Sequence, residues 1–419
     1  MTLTRLGRLA AYIVSFALAR GALFAAPLLL ANLLTSADYG LLETAQAAAS
    51  LLANVAVFGT ASVVPLVLLG HTRATTMAGI VAHHLALVGA CAATGIAAVL
   101  AGAAHSWGLA ALFCAVTVMQ SLGSTHLKTE GRSEASVLLD AGHFGLMALA
   151  AGLAHFAGAS RAMPWVVAAA LVYVTLLGTA YLRLLTRLPR SSLGQWRAAI
   201  GLGLPLMLGG VVTLLATTSG RLGMGLLAGP LVAADYAVLS RAAALPIVAH
   251  QLILVARFRN LFTLPAQQVE RAAATIVALV AASAFGFWLL APWIGRLFGS
   301  AFVHAWTVHP LPGAWIAAQA ILWSAIALND LMILRHQVMH RILPVSVGFL
   351  TLALGVGWLI MRRVGPTLEH FVFAHGVLML LFYGAQSAAM AAAGIRRGRV
   401  WITAASAYLA MVTLATALA

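Results

Sequence analysis

Charge is scarce in this sequence, acid scarcer still, and lysine all but missing. Charged residues make up 8% of the chain, where soluble domains carry about 25%. Only nine residues are acidic, and Lys128 is the one lysine among 24 basic residues. A chain of 419 residues that is 63% hydrophobic, with mean hydropathy +1.00, cannot hide that apolar surface in a water-soluble core. It needs lipid around it. Cysteine is nearly absent too. Cys91 and Cys114 both lie in apolar runs, which excludes a disulfide framework and a Cys-x-x-Cys metal site. No nucleotide loop, zinc-protease motif or nucleophile elbow with partners occurs. No acid, base and nucleophile converge, so the expectation is a transporter, not an enzyme, needing no metal and no cofactor. Any transport is then driven by a gradient or by the substrate's own downhill movement.

What is present is a series of long apolar runs. A membrane helix needs about 20 mostly apolar residues. That rule predicts spans near 9–34, 41–69, 74–103, 106–127, 135–157 and 164–185. A polar, basic linker follows at 186–197. The second series lies near 198–228, 234–256, 271–298, 312–334, 342–361 and 367–392, with a thirteenth run at 400–418. Arg5 and Arg8 ahead of the first run imitate a signal peptide. Arg20 interrupts that run and it continues to Leu34, so it reads as the first span.

Arginine sets the orientation. With the N-terminus in the cytoplasm, 17 of the 24 basic residues fall in inner segments, including Arg73, Lys128, Arg190, Arg335 and Arg399. The Arg362-Arg363 pair is the exception. The net charge of +15 is therefore read as topology rather than as nucleic-acid binding.

A short motif occurs twice. Ala37-Asp38-Tyr39-Gly40 opens the second span, and Ala234-Asp235-Tyr236 opens the eighth, 197 residues later. Six spans separate the copies, so both halves insert in the same direction. That predicts an all-α polytopic protein of about 12–14 transmembrane helices in two parallel six-helix bundles, with a substrate path between them. The bundles are expected at 1–185 and 198–393, joined by a cytoplasmic linker at 186–197. A basic loop and an extra span are expected at 394–419. Asp38 and Asp235 are expected to cap their helices, and Tyr39 and Tyr236 to anchor at the membrane interface.

Arginine inside the spans carries the functional signal. Arg20 lies near the centre of span 1, Arg221 near the outer end of span 7, and Arg241 two turns into span 8. Each costs about 2.5–3.5 kcal/mol at mid-membrane. Such residues persist in a wet cavity that accepts an anion, and guanidinium matches phosphate oxygens. The alternative is pairing with helix carbonyls or with Glu43, Asp38 or Asp235. Glu43 faces Arg20 or a cation. His83 and His84 in span 3, and Asp140 with His143 on one face of span 5, are candidates for ion coupling or gating. The plainer reading makes the histidines satisfied core residues. Asn329-Asp330 near the inner end of span 10 reads as a pair that snorkels to the interface. Pro27, Pro65, Pro205 and Pro246 fall in spans 1, 2, 7 and 8, where they allow bending.

Leu18 through Gly70 resembles the start of the Wzx-type polysaccharide flippases of the multidrug/oligosaccharidyl-lipid/polysaccharide exporter superfamily. Arg20, the stretch Leu33-Leu34-Thr35-Ser36-Ala37-Asp38-Tyr39-Gly40-Leu41-Leu42-Glu43, and Gly59 carry the likeness. Gly203-Leu204-Pro205-Leu206 and Ala233-Ala234-Asp235-Tyr236 repeat it in the second half. The resemblance implies two six-helix bundles around a V-shaped, cation-lined central cavity. It implies a flippase in a bacterial inner membrane that moves an undecaprenyl-diphosphate-linked oligosaccharide or exopolysaccharide precursor, such as an O-antigen unit. A polysaccharide polymerase or another glycan assembly protein is then an expected partner. Family members often have Asp before the arginine of span 7; here it is Gly220. A cation-coupled multidrug or metabolite antiporter of the same superfamily is the alternative. A non-transporting scaffold of a glycan assembly complex is another.

Overall fold

The computed structural model describes residues 3–70, 72–100, 106–247, 250, 265–336, 338–395 and 398–418. Arg257, Arg259, Arg396 and Arg397, and the side chains of Arg20 and Pro205, lie outside the described residues. Every regular element described is helical.

The first half comprises α1 (Leu3–Leu33), α2 (Ser36–Ala56), α3 (Val64–Leu68), α4 (Met77–Leu100), α5 (Ser106–Thr129), α6 (Ser133–Phe156) and α7 (Met163–Leu185). Helix α8 (Leu193–Leu227) begins inside the basic stretch 186–197. The second half continues with α9 (Pro230–Ala242), α10 (Ala266–Ile294), α11 (Ser300–Val308), α12 (Pro310–Arg335), α13 (Met339–Val364), α14 (Leu368–Ala392) and α15 (Gly398–Leu418). Over the described residues each of the thirteen expected spans is largely helical; residues 101–103, 248–249 and 251–256 lie outside them. Among the described residues ten helices are long and apolar enough to cross a membrane, or eleven with the bent second span. Leu149, Leu153, Leu176, Leu182, Leu352 and Leu359 are each more than half exposed, which only a lipid surround tolerates in such number. The chain is a multi-pass membrane protein.

The chain forms two compact units, residues 1–215 and 216–419, with the boundary inside α8. Each is built around its fourth span. In the first, α5 is 72% buried and touches α2, α4, α6 and α7. In the second, α12 is 83% buried and touches α9, α10, α14 and α15. The thirteenth span, α15, packs on α10 and α12. Lipid tails are as apolar as leucine, so helices here are held by packing and by polar cross-links. His126 of α5 meets the Tyr181 hydroxyl at 3.0 Å, and Ser124 and Ser136 pair at 2.9 Å. In the second unit Asn329 donates to Gln386 at 3.1 Å, and Gln386 donates to Asp330 at 2.8 Å. Asn329 is 1% exposed. It is held in a polar network and does not snorkel, because Gln386 and Ser387 of α14 face it.

The second span of each half is broken. Helix α2 ends at Ala56, turns through Phe58 (φ 48°) and Gly59 (φ 69°), and resumes as a 3-10 turn and α3, bent by 55°. Helix α9 ends at Ala242, passes a turn at 243–244 and resumes at Leu245. Pro65 and Pro246 stand second in the resumed helices, where a missing N–H costs nothing. The breaks thus precede these prolines. Helix α1 runs unbroken through Pro27, and α8 continues through 205. The break at Gly59 seats against Gly203 of α8. A Cβ on Gly203 would lie 2.7 Å from the Gly59 carbonyl carbon and 2.9 Å from the Thr60 nitrogen.

Candidate functional site

The second unit gathers two of the three intramembrane arginines. Gly220 carries no side chain, so Tyr236 of α9 lies directly on α8; a Cβ at 220 would overlap the Tyr236 hydroxyl. Arg221 follows beside that ring. Arg241 stands in the last turn of α9, where the helix stops and its carbonyl accepts from the Ala244 amide at 3.2 Å. A cation is favoured at that negative helix end. Both arginines line one cavity of about 230 Å³, with Tyr236, Ser240, Gln319 and Trp323. No carboxylate is among its described lining residues.

His375 of α14 forms one wall. Gln319 donates its amide to the Val372 carbonyl at 2.9 Å, which leaves its oxygen to accept from His375 Nδ1 at 3.0 Å. His375 Nε2 pairs with the Ser219 hydroxyl at 3.1 Å. Both ring nitrogens are used. The far side of His375 faces a second recess of about 150 Å³, lined by Phe349, Ala353, Trp358, Phe371, Leu378 and Phe382. His375 and Met379 belong to both walls. A charged recess and an apolar one therefore share a partition.

The remaining candidates are spread over other environments. Glu43 is 1% exposed and accepts from the Tyr39 hydroxyl at 3.1 Å. Tyr39 and Tyr236 are 1% and 5% exposed. Neither is an interfacial anchor, because each hydroxyl is turned inward onto a neighbouring helix turn. Gly40 is buried, and its carbonyl accepts from Thr44 at 2.8 Å. Thr35, not Asp38, caps α2, accepting from the Asp38 amide at 3.1 Å. Asp235 lies in the second turn of α9, too deep to cap it, and meets His309 at 3.5 Å.

His84 is fully buried, with Nδ1 at 2.9 Å from the Ile80 carbonyl. His83 packs edge-on against Trp196 at 5.9 Å and lies by the Ala56 and Val57 carbonyls at the break in span 2. Asp140 and His143 share a helix and have different described partners. Asp140 reaches Lys128 at 3.5 Å in a part-exposed pair, whereas His143 packs on Tyr173, 5.8 Å between ring centres. Among the described residues no cluster of three or more His, Cys, Asp or Glu could hold a metal.

Sequence reading missed His375, Gln319 and Ser219. The signal for His375 was the one used for His83, a histidine in mid-span.

No protein-family model matches the chain, and no curated protein matches it. Among solved structures, the chain is similar to the inward-facing conformation of a multidrug resistance MATE family transporter of the MOP superfamily. The TM-score is 0.57 at 14% identity, over 97% of this chain and 98% of that chain. The chain has the fold of that transporter.

Proposed function

We propose that the protein is a membrane transporter for an anionic substrate, and that the substrate is a lipid-diphosphate-linked oligosaccharide or exopolysaccharide precursor. The convergence of Arg221 and Arg241 on one cavity, with no carboxylate among its described lining residues, carries this reading. Two guanidinium groups from different helices suit the several oxygens of a diphosphate. The protein would act by alternating access in a bacterial inner membrane, N-terminus inside, as the arginine bias favours. A cation-coupled antiporter is the second reading. It is favoured by Glu43, a carboxylate buried within a membrane-scale helix, and by the likeness to a multidrug resistance transporter.

The test is translocation of a lipid-diphosphate-linked sugar between leaflets of proteoliposomes. Arg221→Ala and Arg241→Ala should each slow it by roughly tenfold or more, the scale of one lost charged hydrogen bond. Efflux of a cationic dye under a proton or sodium gradient, with no lipid movement and no effect of these variants, would replace this reading by the antiporter.

A further inference from the structure

We propose that Cys91 and Cys114 form a dithiol that a membrane-dissolved, two-electron oxidant of the quinone class closes to a disulfide. Two cysteines make no framework, but they can make one bond, and this one joins α4 to α5.

Three observations carry it. The sulfurs are neighbours: Cys91 Sγ and Cys114 Sγ lie 3.6 Å apart. A disulfide is about 2.0 Å long, so they close by about 1.6 Å, a step within reach of side-chain rotation. The helices are also pressed together beside the pair. A Cβ on Gly95, one turn from Cys91, would lie 3.0 Å from the Gly108 carbonyl oxygen, and a Cβ on Gly108 would lie 2.8 Å from that of Ala98. Small residues that admit backbone so closely hold membrane helices against each other, which keeps the sulfurs opposed. Finally, the two thiols differ in access. Cys114 is 2% exposed, whereas Cys91 is half-buried beside exposed Ala90 and Thr94. Cys91 stands seven residues from the end of its span at Ala98, and Cys114 seven from the start of its span at Trp107. At 1.5 Å per residue both lie about 10 Å inside the apolar region, where a charged oxidant is costly to bring.

In the reaction two S–H bonds break and one S–S bond forms. Both electrons and both protons pass to the quinone, which leaves as hydroquinone. Cys91 is the thiol the quinone meets, and Cys114 supplies the second sulfur. Helix α4 carries His83 at the break in span 2, and α5 is the helix its unit is built around. The bond therefore ties the helix beside that break to the centre of the unit.

The test treats the full chain in phosphatidylcholine nanodiscs with decylubiquinone, whose fully substituted ring oxidises thiols without arylating them. A parallel sample receives oxidised glutathione, which stays in water. Free thiols are counted with N-ethylmaleimide after denaturation, and cross-linked peptides are mapped by mass spectrometry. Decylubiquinone should take the two free thiols to none, through a bond between Cys91 and Cys114 that dithiothreitol reverses. Oxidised glutathione should act roughly tenfold more slowly or worse, because exchange depends on access. Under the quinone, Cys114→Ala should keep its one thiol free. Two thiols that survive saturating quinone overturn the proposal, and so does a bond joining Cys91 of two copies. Equal rates with the two oxidants overturn the assignment of the oxidant to the membrane phase.

Discussion

At Gly220 a missing side chain seats Tyr236 against α8 and so places Arg221 beside the α9 wall of the cavity. Gly220→Ala should destabilise the protein by about 1–3 kcal/mol through overpacking, seen as a lower melting temperature in detergent. Adding Tyr236→Ala should recover most of that loss, since the two residues are in contact and their effects do not add. Strict additivity would show that the contact is not what Gly220 serves. Arg241 permits a finer question. Lysine keeps its charge but not its planar fork. Arg241→Lys should therefore bind inorganic pyrophosphate roughly tenfold more weakly than wild type, yet more tightly than Arg241→Ala. Equal affinities for wild type and the lysine variant would mean that the cavity reads charge alone.

Among the elements, the broken second span of each half is the least regular. In the first half the break is held by backbone against backbone, Gly59 against Gly203. Backbone cannot swing aside as a flexible side chain can. Gly203→Ala should cost at least the usual 1–3 kcal/mol of an overpacked site, and a thermal melt unchanged from wild type would contradict the close seating. The α12–α14 network makes a different prediction. Gln386 bridges Asn329 and Asp330, and interhelical hydrogen bonds in membranes average about 0.6 kcal/mol, rising to about 1.7. Gln386→Leu should thus lower stability by about 1 kcal/mol. Combining it with Asn329→Leu should add less than the sum of the two.

For the whole molecule, the prediction concerns sidedness. Exposed Ser160 lies in the turn between α6 and α7, and exposed Ser192 lies just before α8. The arginine bias puts them on opposite sides of the membrane. With Cys91→Ala and Cys114→Ala as background, Ser160→Cys should react with an impermeant maleimide in intact cells whose outer membrane has been opened. Ser192→Cys should react only after the inner membrane is permeabilised. The reverse pattern would turn the protein over and assign the cavity to the other leaflet.

The membrane setting and the helices were legible in the sequence because both depend on local composition. Bilayer thickness fixes the length of a span, and a run of apolar residues declares itself without knowledge of its neighbours. The intramembrane arginines stood out for the same reason, as charges where charge is costly. What each helix turns toward its neighbours was not legible. In a soluble helix the polar face marks the outside, but a membrane helix is apolar all round and its pattern names no inner face. Only the tertiary structure decided that Arg221 and Arg241 share a cavity. It also decided that Tyr39 and Tyr236 point inward, that Asp140 reaches Lys128 while His143 packs on Tyr173, and that His375 stands between a charged recess and an apolar one.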